Sequence, residues 1–177
     1  ALSAINNSAF YKCSQIESIE IPAAVVTIGE SAFYECTKLS KVRFAEDSSL
    51  RSIGNSAFKS TNLQSVSLPD SLETIGNSAF YISTLTSVSF GNSLKKIGAS
   101  AFNSTKLETL EFPDSLVIID NSAFNGISTL HEVRFGSGLK AMGTKVFYNT
   151  MLNGTDGTVS GIPANDATWY SFDPSST

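Results

Sequence analysis

The sequence has 177 residues, 41% of them hydrophobic, so it is long and apolar enough to bury a core of ordinary size. No run approaches about 18 consecutive apolar residues, which argues against a membrane-spanning helix. A formal net charge of −4, with no basic run, argues against a nucleic-acid backbone or an anionic membrane surface as the main partner.

The chain opens on Ala1-Leu2-Ser3-Ala4, and Leu2 to Ile5 matches the Leu-x-x-Ile seen later at Leu72 to Ile75. It therefore reads as starting partway through a repeating unit. With no initiating Met and no signal-peptide pattern at Ala1, it reads as a mature or excised piece. A hexamer of the type Ile-Gly-Asn-Ser-Ala-Phe follows and recurs seven times, ending at Phe10, Phe33, Phe58, Phe80, Phe102, Phe124 and Phe147. The steps between these phenylalanines are 23, 25, 22, 22, 22 and 23 residues. A fixed period of this size means stacked coils, each burying its apolar face on its neighbours.

The second hexamer position holds Gly29, Gly54, Gly76, Gly98 and Gly143, with Asn6 and Asp120 in the other two copies. All three residue types tolerate a left-handed backbone, so a positive φ is predicted there. The fourth position is Ser8, Ser31, Ser56, Ser78, Ser100 and Ser122. A small hydroxyl in a tight turn bonds nearby backbone, and a catalytic nucleophile is not needed six times. The phenylalanines are predicted to stack as a ladder inside the coils.

Three residues after the phenylalanine stand Cys13, Cys36, Thr61, Ser83 and Thr105, a column of small, semi-polar side chains predicted to be buried. Free buried thiols are favoured there over a Cys13–Cys36 disulfide, because parallel stacked side chains keep their Cβ atoms too far apart. Two cysteines and a remote histidine are too few ligands for a metal site, so no metal and no cofactor is expected.

Next in each unit comes Leu-x-x-Val-x-Phe, as in Leu39-Val42-Phe44, Leu85-Val88-Phe90 and Leu130-Val133-Phe135. Its closing period-two alternation predicts one short strand per coil, stacked into a parallel sheet. Turn formers such as Pro69-Asp70-Ser71 and Gly136-Ser137-Gly138 follow, and the return ribbon Leu-x-x-Ile leads to the next hexamer. The second unit inserts Ala45 to Ser49, which predicts a surface bulge. Nothing has the spacing of a full amphipathic helix; at most a short helical turn is expected at each Ser-Ala-Phe. The period lapses at Thr150, so the chain divides into a repeat region, 1–149, of about seven coils with the first partial, and a C-terminal cap or tail, 150–177, carrying Trp169, Tyr170 and Phe172.

The linked patterns Leu-x-x-Val-x-Phe and Ile-Gly-x-Ser-Ala-Phe, with Cys or Thr three residues on, resemble the BspA-like leucine-rich repeats, coil by coil over residues 2–147. The resemblance implies a leucine-rich-repeat solenoid: a right-handed superhelix of short parallel strands and turns, mostly β. It also implies a secreted or cell-surface protein, adhesin-like, with no catalytic residues to carry over. The implied partner is a host or matrix protein or glycan, with end-to-end self-association as a further expectation. A structural spacer or assembly module is the alternative.

Between the inward strand positions the outward residues are Ser18, Lys41, Ser65, Ser87, Thr109 and Glu132, and Glu20, Arg43, Ser67, Ser89, Glu111 and Arg134. Lys41, Arg43, Ser65, Ser67, Ser87, Ser89, Glu111 and Arg134 form the candidate binding face. An alternative apolar contact is Val117-Ile118, placed outward on the return ribbon where other coils carry polar residues. His131, the sole histidine, falls one coil from Glu108 and near Thr109, but no oxyanion donors converge there, so no catalytic residue is assigned. No phosphate-binding, dinucleotide, zinc or EF-hand pattern is present.

Overall fold

The computed structural model describes residues 2–153 and 158–160. Their chain winds into stacked coils of short parallel strands and turns. The only helical element among them is a single 3-10 turn, Met151–Asn153. Numbered in chain order, the return ribbon supplies β1 (Ala4–Ile5), β3 (Thr27–Ile28), β5 (Ser52–Ile53), β7 (Thr74–Ile75), β9 (Lys96–Ile97), β11 (Ile118–Ile119) and β13 (Ala141–Met142). The Val-x-Phe segments supply β2 (Ser18–Ile21), β4 (Lys41–Phe44), β6 (Ser65–Ser67), β8 (Ser87–Ser89), β10 (Thr109–Glu111), β12 (Glu132–Arg134) and β14 (Thr158–Ser160).

The predicted strands all form, but the two sides differ in continuity. The two-residue return strands make one unbroken seven-stranded sheet. The longer strands fall into hydrogen-bonded groups β2–β4, β6–β8 and β10–β12–β14. Both sheets are parallel and place like residues of successive coils in register, as Ile53 on Ile75 and Val66 on Val88. β14 extends the strand stack past the point where the sequence period lapses, with Val159 in register with Val133. The expectations for Trp169, Tyr170 and Phe172 lie outside the described residues.

The hexamers do not form helical turns. Alternate N–H groups close local i→i+3 turns, as Ala9 to Asn6 and Tyr11 to Ser8, while the others reach the next coil, as Ser8 to Glu30, Phe10 to Ala32 and Lys12 to Tyr34. On the return ribbon the direction reverses: Gly29 donates back to Ile5, and Gly54 back to Ile28. A left-handed residue every fourth position keeps the hexamer from winding into a helix. Here the prediction for φ is corrected. The residues with positive φ are the serines, Ser8 to Ser122 in the fourth position at 53–56°, with Lys145 at 54° in the seventh copy.

Glycine is required at the second position for a different reason. At Gly76 an added Cβ would lie 2.7 Å from the Asn55 nitrogen and the Gly54 carbonyl carbon, so the coils close to backbone contact there. The third position helps hold that approach: Asn7, Asn55, Asn77 and Asn121 each accept, through Oδ1, the N–H of the equivalent residue one coil on, at 2.8–2.9 Å. Asp120 stands in the glycine column where the preceding coil carries Ala99 in the third position. Its carboxylate pairs with Lys96 at 2.9 Å.

The core is a set of columns. Phe10, Phe33, Phe58, Phe80, Phe102, Phe124 and Phe147 stack face to face with centroids 5.0–5.6 Å apart and ring planes within 12°. Coils four to six add a second ladder, Phe90, Phe112 and Phe135, at 5.5 and 5.3 Å. Its rings stand edge-on to Phe102, Phe124 and Phe147. Leu50, Leu72, Leu94 and Leu116, with Ile53, Ile75, Ile97 and Ile119, complete the interior and are fully buried or nearly so. The insertion at Ala45 to Ser49 forms a surface turn around the exposed Glu46 and Asp47, as predicted.

Candidate interaction face

Strand alternation decides which side chains meet solvent. Val42, Val66, Leu110 and Val133 turn inward and are buried, so their flanking residues point out. Lys41, Arg43, Ser65, Ser67, Ser87, Ser89, Glu111 and Arg134 are all exposed. The structure brings them together in register: Ser65 beside Ser87, Ser67 beside Ser89, and Glu111 beside Arg134. The Ser89 hydroxyl donates to Ser67 at 3.0 Å, and Arg134 pairs with Glu111 at 3.2 Å. Arg43 sits beside Glu20 without closing an ion pair, which leaves Lys41 and Arg43 as the free cations of the face. A serine centre with no bulky side chain leaves the strand backbone approachable between them.

Val117 and Ile118 are half-buried, with Ile118 in register between Lys96 and Ala141 and alternating with the buried Ile119.

The cysteine column is corrected at one end. Cys36 is buried and Cys13 is exposed; both are free thiols. The Cys36 sulfhydryl donates to the Phe10 carbonyl at 3.0 Å, and burial pushes its pKa up. Thr61, Thr105 and Thr150 instead donate to the carbonyl of their own coil's phenylalanine, at 2.9, 2.9 and 2.7 Å. His131 Nδ1 lies 3.1 Å from the Thr129 carbonyl oxygen, so its ring is held against its own loop, and only backbone groups join His131 to Glu108. Among the described residues no three His, Cys, Asp or Glu side chains group as metal ligands.

Sequence reasoning missed an aromatic column outside the core. Tyr11, Tyr34, Tyr81 and Tyr148 each directly follow a ladder phenylalanine, and Lys59 occupies that place in the third coil. Tyr11 stacks on Tyr34 at 5.1 Å, and the Lys59 ammonium lies 5.6 Å from the Tyr34 ring and 4.9 Å from that of Tyr81. Lys12 pairs with Glu35 at 3.3 Å beside them. The signal was the position directly after each phenylalanine, which the strand pattern does not include.

The repeat profile of the BspA type leucine-rich repeat region matches six copies, over residues 3–126 and 51–161. Among solved structures, the chain is similar to the T. pallidum leucine-rich repeat protein at 30% identity, with a TM-score of 0.75, covering 84% of this chain and 70% of that one. It is also similar to the pneumococcal vaccine antigen PcpA at 23% identity, with a TM-score of 0.49, covering 92% of this chain and 64% of that one. A leucine rich cell surface protein from Faecalibacterium prausnitzii matches at 18% identity, with a TM-score of 0.46, covering 91% of this chain and 65% of that one. No curated protein matches. Among the described residues no helix is long and apolar enough to cross a membrane.

Proposed function

Because the chain belongs to the BspA-type leucine-rich-repeat family, we propose that it is a non-enzymatic binding module of a secreted or cell-surface protein. It offers its strand face to a host or matrix protein or glycan. The observation that carries this reading is the array on β2–β4, β6–β8 and β10–β12, where exposed side chains repeat in register on parallel hydrogen-bonded strands. Parallel strands hold their spacing without ordering on contact, so little conformational entropy is lost when a partner docks. Lys41 and Arg43 are the free cations, and the serines beside them let a partner approach the backbone. Membership in the family supports the extracellular setting.

The test is capture by immobilised matrix proteins and mucosal glycoproteins, read as association and dissociation rates. Changing Lys41, Arg43 and Arg134 together to Ser should slow association about tenfold and flatten its salt dependence, because exposed charges act mainly on encounter. Lys41 and Arg43 should account for most of the loss, since Arg134 is already paired. A control carrying Val117→Ser and Ile118→Ser should bind as wild type. Capture that is indifferent to all these changes would favour the alternative of a structural spacer or assembly module. That alternative predicts concentration-dependent association in sedimentation.

A further inference from the structure

Two residues after each ladder phenylalanine the backbone is left-handed in every coil. The residues there are Lys12, Glu35, Ser60, Ile82, Ser104, Gly126 and Asn149, with φ between 51° and 73°. Six of the seven are unbranched at Cβ. Ile82, at 51°, is the one β-branched residue with positive φ among the described residues. A β-branched side chain in this region is a backbone outlier with a steric cost. The cost is not offset by burial, because Ile82 is 51% exposed. The next residue adds a second irregularity: the Ser83 hydroxyl is buried with no hydrogen-bond partner, where Thr61 and Thr105 are satisfied. The fourth coil thus carries strain at the point where it presents an apolar group to solvent, the combination found where strain serves a contact.

The surroundings state what that contact accepts. Tyr34, Lys59 and Tyr81 form a continuous aromatic–cation–aromatic stack leading up to Ile82. Segments 59–64, 81–86 and 103–107 of the three adjoining coils contain two cations, Lys59 and Lys106, and no carboxylate; the carboxylate beside Tyr34, Glu35, is paired with Lys12. Lys106 is tied to the fourth coil by its N–H to the Leu85 carbonyl at 2.9 Å. Neither ammonium has an acidic partner, in a chain whose net charge is −4. Tyrosine is enriched at binding hot spots, the exposed Ile82 adds apolar surface beside it, and unpaired cations at its edge select a negative partner.

We propose that Tyr34, Lys59, Tyr81, Ile82 and Lys106 form a second docking site, distinct from the strand face. It takes a peptide segment of a partner protein in which a large apolar side chain lies next to a carboxylate. The apolar group packs on Ile82 and the Tyr81 ring, and the carboxylate meets the lysines. The site does not depend on the strand-face reading.

Fluorescence anisotropy with three labelled synthetic peptides tests it: one alternating Leu and Asp, one alternating Leu and Lys, and one alternating Ser and Asp. The Leu–Asp peptide should bind at least about tenfold more tightly than the other two. Ile82→Asn should weaken that binding about tenfold or more while raising the denaturation midpoint, because asparagine accepts a left-handed backbone. Lys59→Gln with Lys106→Gln should weaken it and flatten its salt dependence, and the strand-face triple variant should bind the peptide as wild type does. No binding by any peptide at about 1 mM, equal binding of all three, or full binding by Ile82→Asn would overturn the proposal. So would loss of peptide binding in the strand-face variant with retention in Ile82→Asn.

Discussion

The first three coils and the next three solve the same packing problem with their aromatic residues on opposite sides of the wall. In coils four to six the extra rings are inside: Phe90, Phe112 and Phe135 stack and abut the main ladder edge-on. In coils one to three the same strand column holds a single ring, Phe44, between Ile21 and Leu68, and the other extra rings are outside as Tyr11 and Tyr34, a stack that Lys59 carries on to Tyr81 of the fourth coil. The inner ladder spans steps of 22 and 23 residues, and the first three coils steps of 23 and 25. The comparison separates what stacking demands, which both halves share, from what each half adds. Rings placed inside stabilise the coils; rings placed outside remain free to meet another molecule.

The largest effect should come from the ladder itself. Phe102 touches Phe80, Phe124 and Phe90, whereas Phe33 has only Phe10 and Phe58 as ring neighbours. Phe102→Ala should therefore cost about 4–5 kcal/mol and Phe33→Ala about 3 kcal/mol, read from chemical-denaturation midpoints. Equal losses would break the distinction between the halves.

The glycine column should show no such distinction. An added Cβ meets backbone of the preceding coil at 2.7 Å at both Gly54 and Gly98. Gly54→Ala and Gly98→Ala should each cost about 2–3 kcal/mol, because the backbone met at both positions cannot move aside as a side-chain end can. If one were silent, the shared frame would not be common to both halves.

A smaller effect tests the outer stack. Lys59→Ala removes the cation between Tyr34 and Tyr81 and should cost about 0.5–1 kcal/mol, because the ammonium meets two ring faces. Lys145→Ala, with one ring face at Tyr148, should cost less. The same denaturation series reads both.

The smallest effect concerns pH at the junction of the halves. Hydrogen bonds from Lys95 and then Arg51 hold the Glu73 carboxyl below the usual carboxylate range. Its folded-state pKa is depressed, so its contribution is present above the unfolded value and is lost as pH falls through the folded one. The midpoint difference between wild type and Glu73→Gln should be small at neutral pH and should shrink to nothing as pH falls through the depressed folded-state value. A difference that grows on acidification would contradict the sign.

Much of the coil was legible because stacking repeats each inward residue at a fixed interval. Phe80 and Phe102, Leu72 and Leu94, and Val66 and Val88 announce their columns by spacing alone. Two roles within the hexamer were exchanged in the sequence reading. Glycine signals either a left-handed backbone or close approach, and only the neighbouring coil distinguishes them: Gly76 has Gly54 and Asn55 against it, while Ser78 carries the positive φ. β14 was missed because Thr158 stands 11 residues after Phe147 where Ser65 stands 7 after Phe58, although Thr158-Val159-Ser160 repeats the pattern of Ser65-Val66-Ser67. Val117 and Ile118 were legible as an outward pair by column, but their half-burial was not, because column membership does not give the degree of exposure. The candidate face was legible as a list of outward residues; which cations stay unpaired, Lys41 and Arg43 but not Arg134, depends on side-chain reach that spacing does not encode.

The opposed direction of hydrogen bonding on the two sides of each coil has an electrical consequence. In the hexamers Ser8, Phe10 and Lys12 donate toward the later coil, and on the return ribbon Val26 and Gly29 donate toward the earlier one. In an α-helix all peptide dipoles align and leave partial charges at the ends. Here these dipole components along the stacking axis oppose one another within each turn. Adding a repeat therefore adds less end charge than adding a turn to an α-helix does, so repeat number can change as a unit of reach with little change in the potential at either end.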